Sequence, residues 1–222
     1  MKLVASSLTD DRAVLRARLA DDGYVYFQRA IDTDVLDRLR SAARRAAIAA
    51  HLMSRRGQLA ERDLAARTKR SAALLCAASD FRAARYAPSL RTVTRIFGAS
   101  KPHPAPHAAF ARFVLPREKA ATMPAHQDQH YLPRRYEFIT LWIPVLMPDA
   151  NGGGVAIARG SHAKGRIEHA GGRIAREPKV WCSAAYHPGD VVVFTGYTVH
   201  KSLANHASSL RVSVDYRYVV AT

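Results

Sequence analysis

The sequence predicts a mainly β protein with added helices: a jelly-roll core with a helical region packed on one side. Three observations predict it. Short β-prone runs separated by turn residues recur from about residue 108 to the end. The first hundred residues instead space their apolar side chains at helical intervals and are rich in Ala, Arg and Leu. A Pro-rich connector, Lys101-Pro102-His103-Pro104-Ala105-Pro106-His107, separates the two regimes. Several short strands after a helical segment suit a jelly roll better than a parallel sheet. A chain of 222 residues, 48% hydrophobic, can bury a sizeable core as one domain, expected over 1–222. In it, residues 1–100 act as helical support and 108–222 form the core that carries the site.

The elements follow in order. Ser7 or Thr9 can cap a helix through about Leu19, with Asp10 and Asp11 in its first turn, and Asp22-Gly23 ends it. Tyr24–Phe27 is β-prone. Asp32 or Thr33 caps a second helix, which buries Val35, Leu36, Leu39, Ala42 and Ala46 and turns Arg38, Arg40, Arg44 and Arg45 outward. Residues 51–88 are helical in pieces, and Leu90–Phe97 forms another helix stopped by Gly98. Then come strands at Ala111–Leu115 and Phe138–Leu146. A tight turn at Asn151-Gly152-Gly153-Gly154 leads into Val155-Ala156-Ile157. Residues 163–180 are polar, basic and Gly-containing, which suits a mobile lid. Trp181–Tyr186, Val191–Thr195, Val199–Leu203 and Leu210–Val220 complete the strands.

Composition narrows the function. No run of eighteen apolar residues is present to cross a bilayer, and Met1–Ala5 lacks the apolar stretch of a secretory signal, so a cytoplasmic setting is expected. Two cysteines, Cys76 and Cys182, do not make a disulfide framework. The net charge of +16 is spread along the chain, without a basic tail. It could steer anionic substrates or carrier-tethered ones. No zinc-finger spacing, aromatic RNA-binding signature or helix-turn-helix accompanies it, so no nucleic-acid partner is expected.

The chemistry concentrates at Pro124-Ala125-His126-Gln127-Asp128-Gln129-His130-Tyr131. On an extended strand, residues two apart share a face, so the His126 imidazole and the Asp128 carboxylate can converge on one ion. A second imidazole would complete the two-His-one-carboxylate set that leaves positions open on Fe(II). His200, in Thr198-Val199-His200-Lys201-Ser202, offers one, and it shares a strand face with Ser202. Arg211 opens a strand with Arg211, Ser213, Asp215 and Arg217 on one side and Val212, Val214, Tyr216 and Tyr218 on the other. A guanidinium beside a Ser hydroxyl in a pocket suits a carboxylate, such as one end of a dicarboxylate cosubstrate. His51 reads as a surface residue. Pro keeps His103 and His107 off a common helix face.

The ordered set of motifs resembles the phytanoyl-CoA dioxygenase family of Fe(II)/2-oxoglutarate-dependent oxygenases. The motifs are His126-Gln127-Asp128-Gln129-His130-Tyr131, Leu141-Trp142-Ile143-Pro144, Asn151-Gly152-Gly153, Gly160-Ser161-His162, Gly189–Phe194, His200-Lys201-Ser202 and Arg211, preceded by Asp22-Gly23-Tyr24-Val25. The resemblance implies a double-stranded β-helix, a cupin-like jelly roll. It implies His126, Asp128 and His200 as iron ligands and catalytic residues, with Arg211 and Ser202 on the distal carboxylate of 2-oxoglutarate. Trp142 matches a residue near the cosubstrate. Gln127 matches one near the substrate, and His130 and Tyr131 follow it in the same motif as candidate substrate contacts.

Two features depart from the family pattern. Arg159 stands where Pro often precedes Gly-Ser-His, and the chain is shorter than many members. A carboxylate at Asp128 fills the position that halogenating relatives free for chloride, so hydroxylation is expected, with desaturation or ring formation open to the same oxidant. The cosubstrates implied are 2-oxoglutarate and O2, and the product class fits biosynthesis of a specialised metabolite. A metal-dependent isomerase or epimerase on the same jelly roll, and a non-catalytic basic binding module, are the alternatives.

Overall fold

The structure, a computed structural model, describes residues 1–103, 108–117 and 123–220. His107 of the Pro-rich connector lies outside the described residues.

The N-terminal third is helical. After a short strand β1 (Ala5–Ser6), α1 covers Arg12–Asp22. The cap is Asp11, whose carboxylate accepts the Ala13 N–H at 2.6 Å, and not Ser7 or Thr9. Those two hydroxyls bond each other at 2.7 Å, inside a turn closed by Asp10. Gly23 ends α1 at φ 78°. Strand β2 (Tyr24–Phe27) follows, then α2 (Thr33–Ala49) with Asp32 as its cap residue. Helix α2 buries the expected Val35, Leu36, Leu39, Ala42 and Ala46, together with Ala43 and Ala47. Helices α3 (Leu64–Ala77), α4 (Ser79–Ala84) and α5 (Pro88–Ile96) follow; Pro88 suits the first turn of α5, where no N–H is needed.

The strands are β3 (Ala99–Pro102), β4 (Ala109–Val114), β5 (Phe138–Leu146), β6 (Gly154–Ile157), β7 (His169–Ala170), β8 (Arg173–Ile174), β9 (Val191–Thr195), β10 (His200–Leu203) and β11 (Arg211–Val220). Among the described residues, β1, β2, β9, β5, β11 and β3 lie side by side in one sheet, and β4 also pairs with β11. A smaller antiparallel pair, β10 with β6, faces it. This is a jelly roll with helices on one side. Trp181–Tyr186 is not a continuous strand; it makes two isolated bridges, Cys182 to Ile157 and Ser183 to Lys2. The proposed lid segment carries the β7–β8 hairpin.

Alternation along the central strands decides what faces the site. Ile139, Leu141, Ile143 and Val145 of β5, Val191 and Val193 of β9, and Val212, Val214, Tyr216 and Tyr218 of β11 pack with the helices in one core. Tyr216 and Tyr218 add hydrogen bonds to the carbonyls of Phe81 and Arg85, pinning the α4 region to the sheet. The opposite face carries Thr140 and Trp142 of β5 and Arg211, Ser213, Asp215 and Arg217 of β11 into the interior. All six are buried.

Candidate metal centre

The two distant imidazoles are brought together by backbone pairing. His126 and His200 form an isolated antiparallel bridge and exchange both N–H···O=C bonds at 3.0 Å. Directly opposite residues in such a pair put their side chains on one face. The rings lie 4.2 Å apart, centre to centre. The His-x-Asp triplet is not on a continuous strand. Gln127 is extended at φ −111°, and Asp128 opens a 3₁₀ turn, Asp128–His130. One extended residue between them is enough to bring Asp128 back beside His126.

Asp128 Oδ1 lies 3.6 Å from His126 Nε2 and 3.7 Å from His200 Nε2. The other ring nitrogens are committed: His126 Nδ1 bonds the Pro124 carbonyl at 2.8 Å and His200 Nδ1 the Thr198 carbonyl at 3.0 Å. A carbonyl can only accept, so each Nδ1 carries the proton and each Nε2 presents a lone pair. Burial pushes the His200 imidazole down to about 3, which keeps it neutral. Three buried ligand atoms therefore converge, Nε2 of each imidazole and Oδ1 of Asp128. That donor set fits a divalent cation, and it is the one metal-competent cluster among the described residues.

Asp128 is held from behind. Arg217 donates from Nη2 to Oδ1 at 2.6 Å and from Nε to Oδ2 at 3.1 Å, and the Thr140 hydroxyl donates to Oδ2 at 2.6 Å. Thr140 and Arg217 are cross-strand partners on β5 and β11. Burial raises the Asp128 carboxyl, but Arg217, then His200 and the hydrogen bonds, outweigh it and hold it well below the usual carboxylate range.

Arg211 lies at the start of β11. Its Nη1 donates to the carbonyls of Gly152 and Leu203 at 2.8 and 2.9 Å, and its Nη2 to Ser202 Oγ at 2.8 Å. Of five N–H donors, the Nε–H and one Nη2–H remain, and Nε is buried without a partner. No carboxylate within 4.0 Å neutralises it among the described residues. Burial, then repulsion from Arg112, pulls its pKa down to about 10, so it is still charged at neutral pH. Two adjacent donors on a buried, unneutralised guanidinium fit a carboxylate.

Trp142 packs against Tyr186 with the rings tilted and their centres 4.7 Å apart, and it lines the pocket with His126, His200 and Ser202. Gln127 has both ends of its amide engaged: Nε2 donates to the carbonyls of Gly165 and Tyr197, and Oε1 accepts the Ile167 N–H. It ties the lid segment to the centre. His130 stacks on His169 at 4.1 Å, and Tyr131 meets His126 edge-to-face and donates to the Gly172 carbonyl.

Sequence reasoning put Arg217 on the polar face of its strand without a role, and Thr140 in an undifferentiated β run. It passed over His169, whose Nε2 accepts the Gln127 N–H at 3.0 Å. It also gave no role to the Arg112–Asp215 pair that lines the same pocket. The signal for Thr140, Asp215 and Arg217 was the period of two. His103 is buried against Tyr136 and Phe138, and His51 is exposed.

The profile of the phytanoyl-CoA dioxygenase family matches residues 19–213. Two curated relatives, from Streptomyces arenae and Streptomyces exfoliatus, are both named 1-deoxypentalenic acid 11-beta-hydroxylase. They share 36% identity over 118 residues and 34% over 119. Each alignment covers 45% of this chain and 42% of the relative, so the match spans less than half the length of either protein. Solved structures share the fold. The non-heme alpha-ketoglutarate-dependent carbocyclase SnoK superimposes with a TM-score of 0.69 at 17% identity, over 98% of this chain and 87% of that one. EvdO2 from Micromonospora carbonacea var. aurantiaca, complexed with 2-oxoglutarate, gives 0.66 at 18%, over 100% and 94%.

Proposed function

Because the chain belongs to the phytanoyl-CoA dioxygenase family, we propose that it is an Fe(II)- and 2-oxoglutarate-dependent oxygenase that hydroxylates an unactivated C–H bond of a small molecule in specialised-metabolite biosynthesis. One domain over 1–222 is part of the reading, as is a cytoplasmic setting, which suits the free Cys76 and Cys182. The observation that carries the proposal is the pairing of two complementary vacancies in bonding capacity. Three buried acceptors converge at one point, and a buried guanidinium with two spare donors is bonded to Ser202, two residues beyond His200 on β10.

His126 Nε2, His200 Nε2 and Asp128 Oδ1 would hold the iron. With 2-oxoglutarate and dioxygen, iron in such a site supplies the oxidising power that breaks a C–H bond, releasing succinate and carbon dioxide. The chain's own work is orientation. The Pro124 and Thr198 carbonyls fix the imidazole tautomers. Arg211 and Ser202 grip the far carboxylate of the cosubstrate, Trp142 and Tyr186 wall its flank, and the segment clasped by Gln127 limits water at the mouth.

The curated relatives are named for hydroxylation of 1-deoxypentalenic acid, so carboxylic acids are the first substrate class to try. The test is oxygen-dependent succinate formation by the iron-loaded protein with 2-oxoglutarate, screened for stimulation by such acids. His126→Ala must abolish it. Metal-dependent turnover without oxygen or 2-oxoglutarate would favour an isomerase instead. Salt-sensitive nucleic-acid binding with no iron retained would favour a binding module.

A further inference from the structure

A carboxylate offers about four lone-pair positions, two on each oxygen. At Asp128 three are occupied by this chain. Oδ2 accepts from the Thr140 hydroxyl at 2.6 Å and from Arg217 Nε at 3.1 Å, which fills it. Oδ1 accepts from Arg217 Nη2 at 2.6 Å. One position is left, on Oδ1, the oxygen that lies 3.6 and 3.7 Å from the two imidazole Nε2 atoms.

We propose that Thr140 and Arg217 are positioning residues that limit Asp128 to a single bond with the metal, and so keep three metal positions free for cosubstrate and dioxygen. The proposal rests on the metal-centre reading above. Carboxylates bind hard cations through one oxygen or through both. A two-oxygen grip here would take a fourth position, leaving room for a chelating 2-oxoglutarate and nothing more. The clamp is rigid. Asp128, Thr140 and Arg217 are 1%, 0% and 3% exposed, and the last two are register partners on adjacent central strands. The forked Arg217 contact also fixes the plane of the carboxylate, which one hydroxyl could not do. Lysine at 217 would supply the charge without the fork.

The test counts free positions and needs no turnover. Anaerobic, Fe(II)-loaded protein is titrated with nitric oxide, with and without saturating 2-oxoglutarate, for the wild type, Thr140→Val and Arg217→Gln. Thr140→Val keeps shape and volume, so it stands as the folded variant if Arg217→Gln, which strands a buried carboxylate, does not fold. The wild type binds nitric oxide under both conditions. In the variants, affinity with 2-oxoglutarate present falls about tenfold or more, the scale of one charge-assisted hydrogen bond, while affinity without it is unchanged. A purely structural role would lower both affinities together or neither, and either pattern in Thr140→Val overturns the proposal. A wild type that takes up no Fe(II) overturns the metal-centre reading, and the proposal with it, so the two failures are told apart.

Discussion

Arg211 of β11 and Ser202 of β10 meet at 2.8 Å, joining the large sheet to the small one across the pocket. The hydroxyl accepts from the guanidinium, so its own proton is left to donate to a ligand. Arg211→Met should weaken 2-oxoglutarate binding by about 100-fold or more, because it removes the fork and the charge together. Ser202→Ala removes one neutral donor and should cost about three- to tenfold. Titration of metal-loaded protein with 2-oxoglutarate measures both. Equal losses in the two variants would contradict the assignment of the fork to Arg211.

Metal removal should destabilise the protein. Ligand binding only to the folded state contributes about 2.7 kcal/mol at 100 times Kd, which for a chain of this size is roughly 5–10 °C in Tm. Melts with Fe(II) or Co(II) against a chelator should show that gap, and His200→Ala should close it. The His variant is a cleaner test than Asp128→Ala, which breaks the buried ion pair with Arg217 and so destabilises the fold with or without metal.

Gly153 is needed for close approach as well as for its φ of 72°. A Cβ there would stand 2.2 Å from the Ala204 carbonyl oxygen and 2.9 Å from Arg211 Nη1. Gly153→Ala should cost about 2–3 kcal/mol in chemical denaturation and weaken 2-oxoglutarate binding by displacing Arg211. Gly57→Ala is the control: its φ is 86°, but its Cβ meets nothing within 4 Å, so it should cost about 1 kcal/mol and leave binding alone. Matching losses at the two positions would show that backbone strain alone accounts for Gly153.

The strands that build the site were legible because β-branched and aromatic residues alternate in them. Phe138–Leu146, Val191–Thr195 and Arg211–Val220 occupy the expected ranges. So was the second helix, whose buried stripe follows its sequence period. Local polar competition was not legible. Ser7 and Thr9 satisfy each other, which hands the cap to Asp11. Nor was cross-barrel pairing. Arg217 and Asp128 are 89 residues apart, and nothing local marks the arginine as a partner of that carboxylate rather than of solvent. Gln127 and His130 carried a motif's expectation of substrate contact, and nothing local in the sequence marked their contacts with the lid segment and with His169.

That lid segment should open on mild acidification. His169 Nδ1 lies 2.8 Å from the Ile167 carbonyl and so carries the proton, leaving Nε2 to accept the Gln127 N–H at 3.0 Å. Protonation would destroy that acceptor. Burial lowers the His169 pKa below its ordinary value; the Ile167 hydrogen bond opposes this, while His130, His126 and Arg166 add to it. A depressed folded pKa means that the unfolded segment binds protons more readily. The contact therefore contributes fully above about pH 6.5, and its contribution is lost as pH falls from there through the folded value. Trypsin cleavage after Lys164, Arg166, Arg173, Arg176 or Lys179 should accelerate from about pH 7.5 to 5.5, relative to an unstructured peptide at the same pH. His169→Gln keeps an acceptor near the Nε2 position and cannot titrate, so its relative cleavage rate should stay flat. Gln127→Ala should be cleaved faster at every pH, because it frees Gly165, Ile167 and Tyr197 together. A His169→Gln protein with the wild-type pH slope would place the titrating group elsewhere.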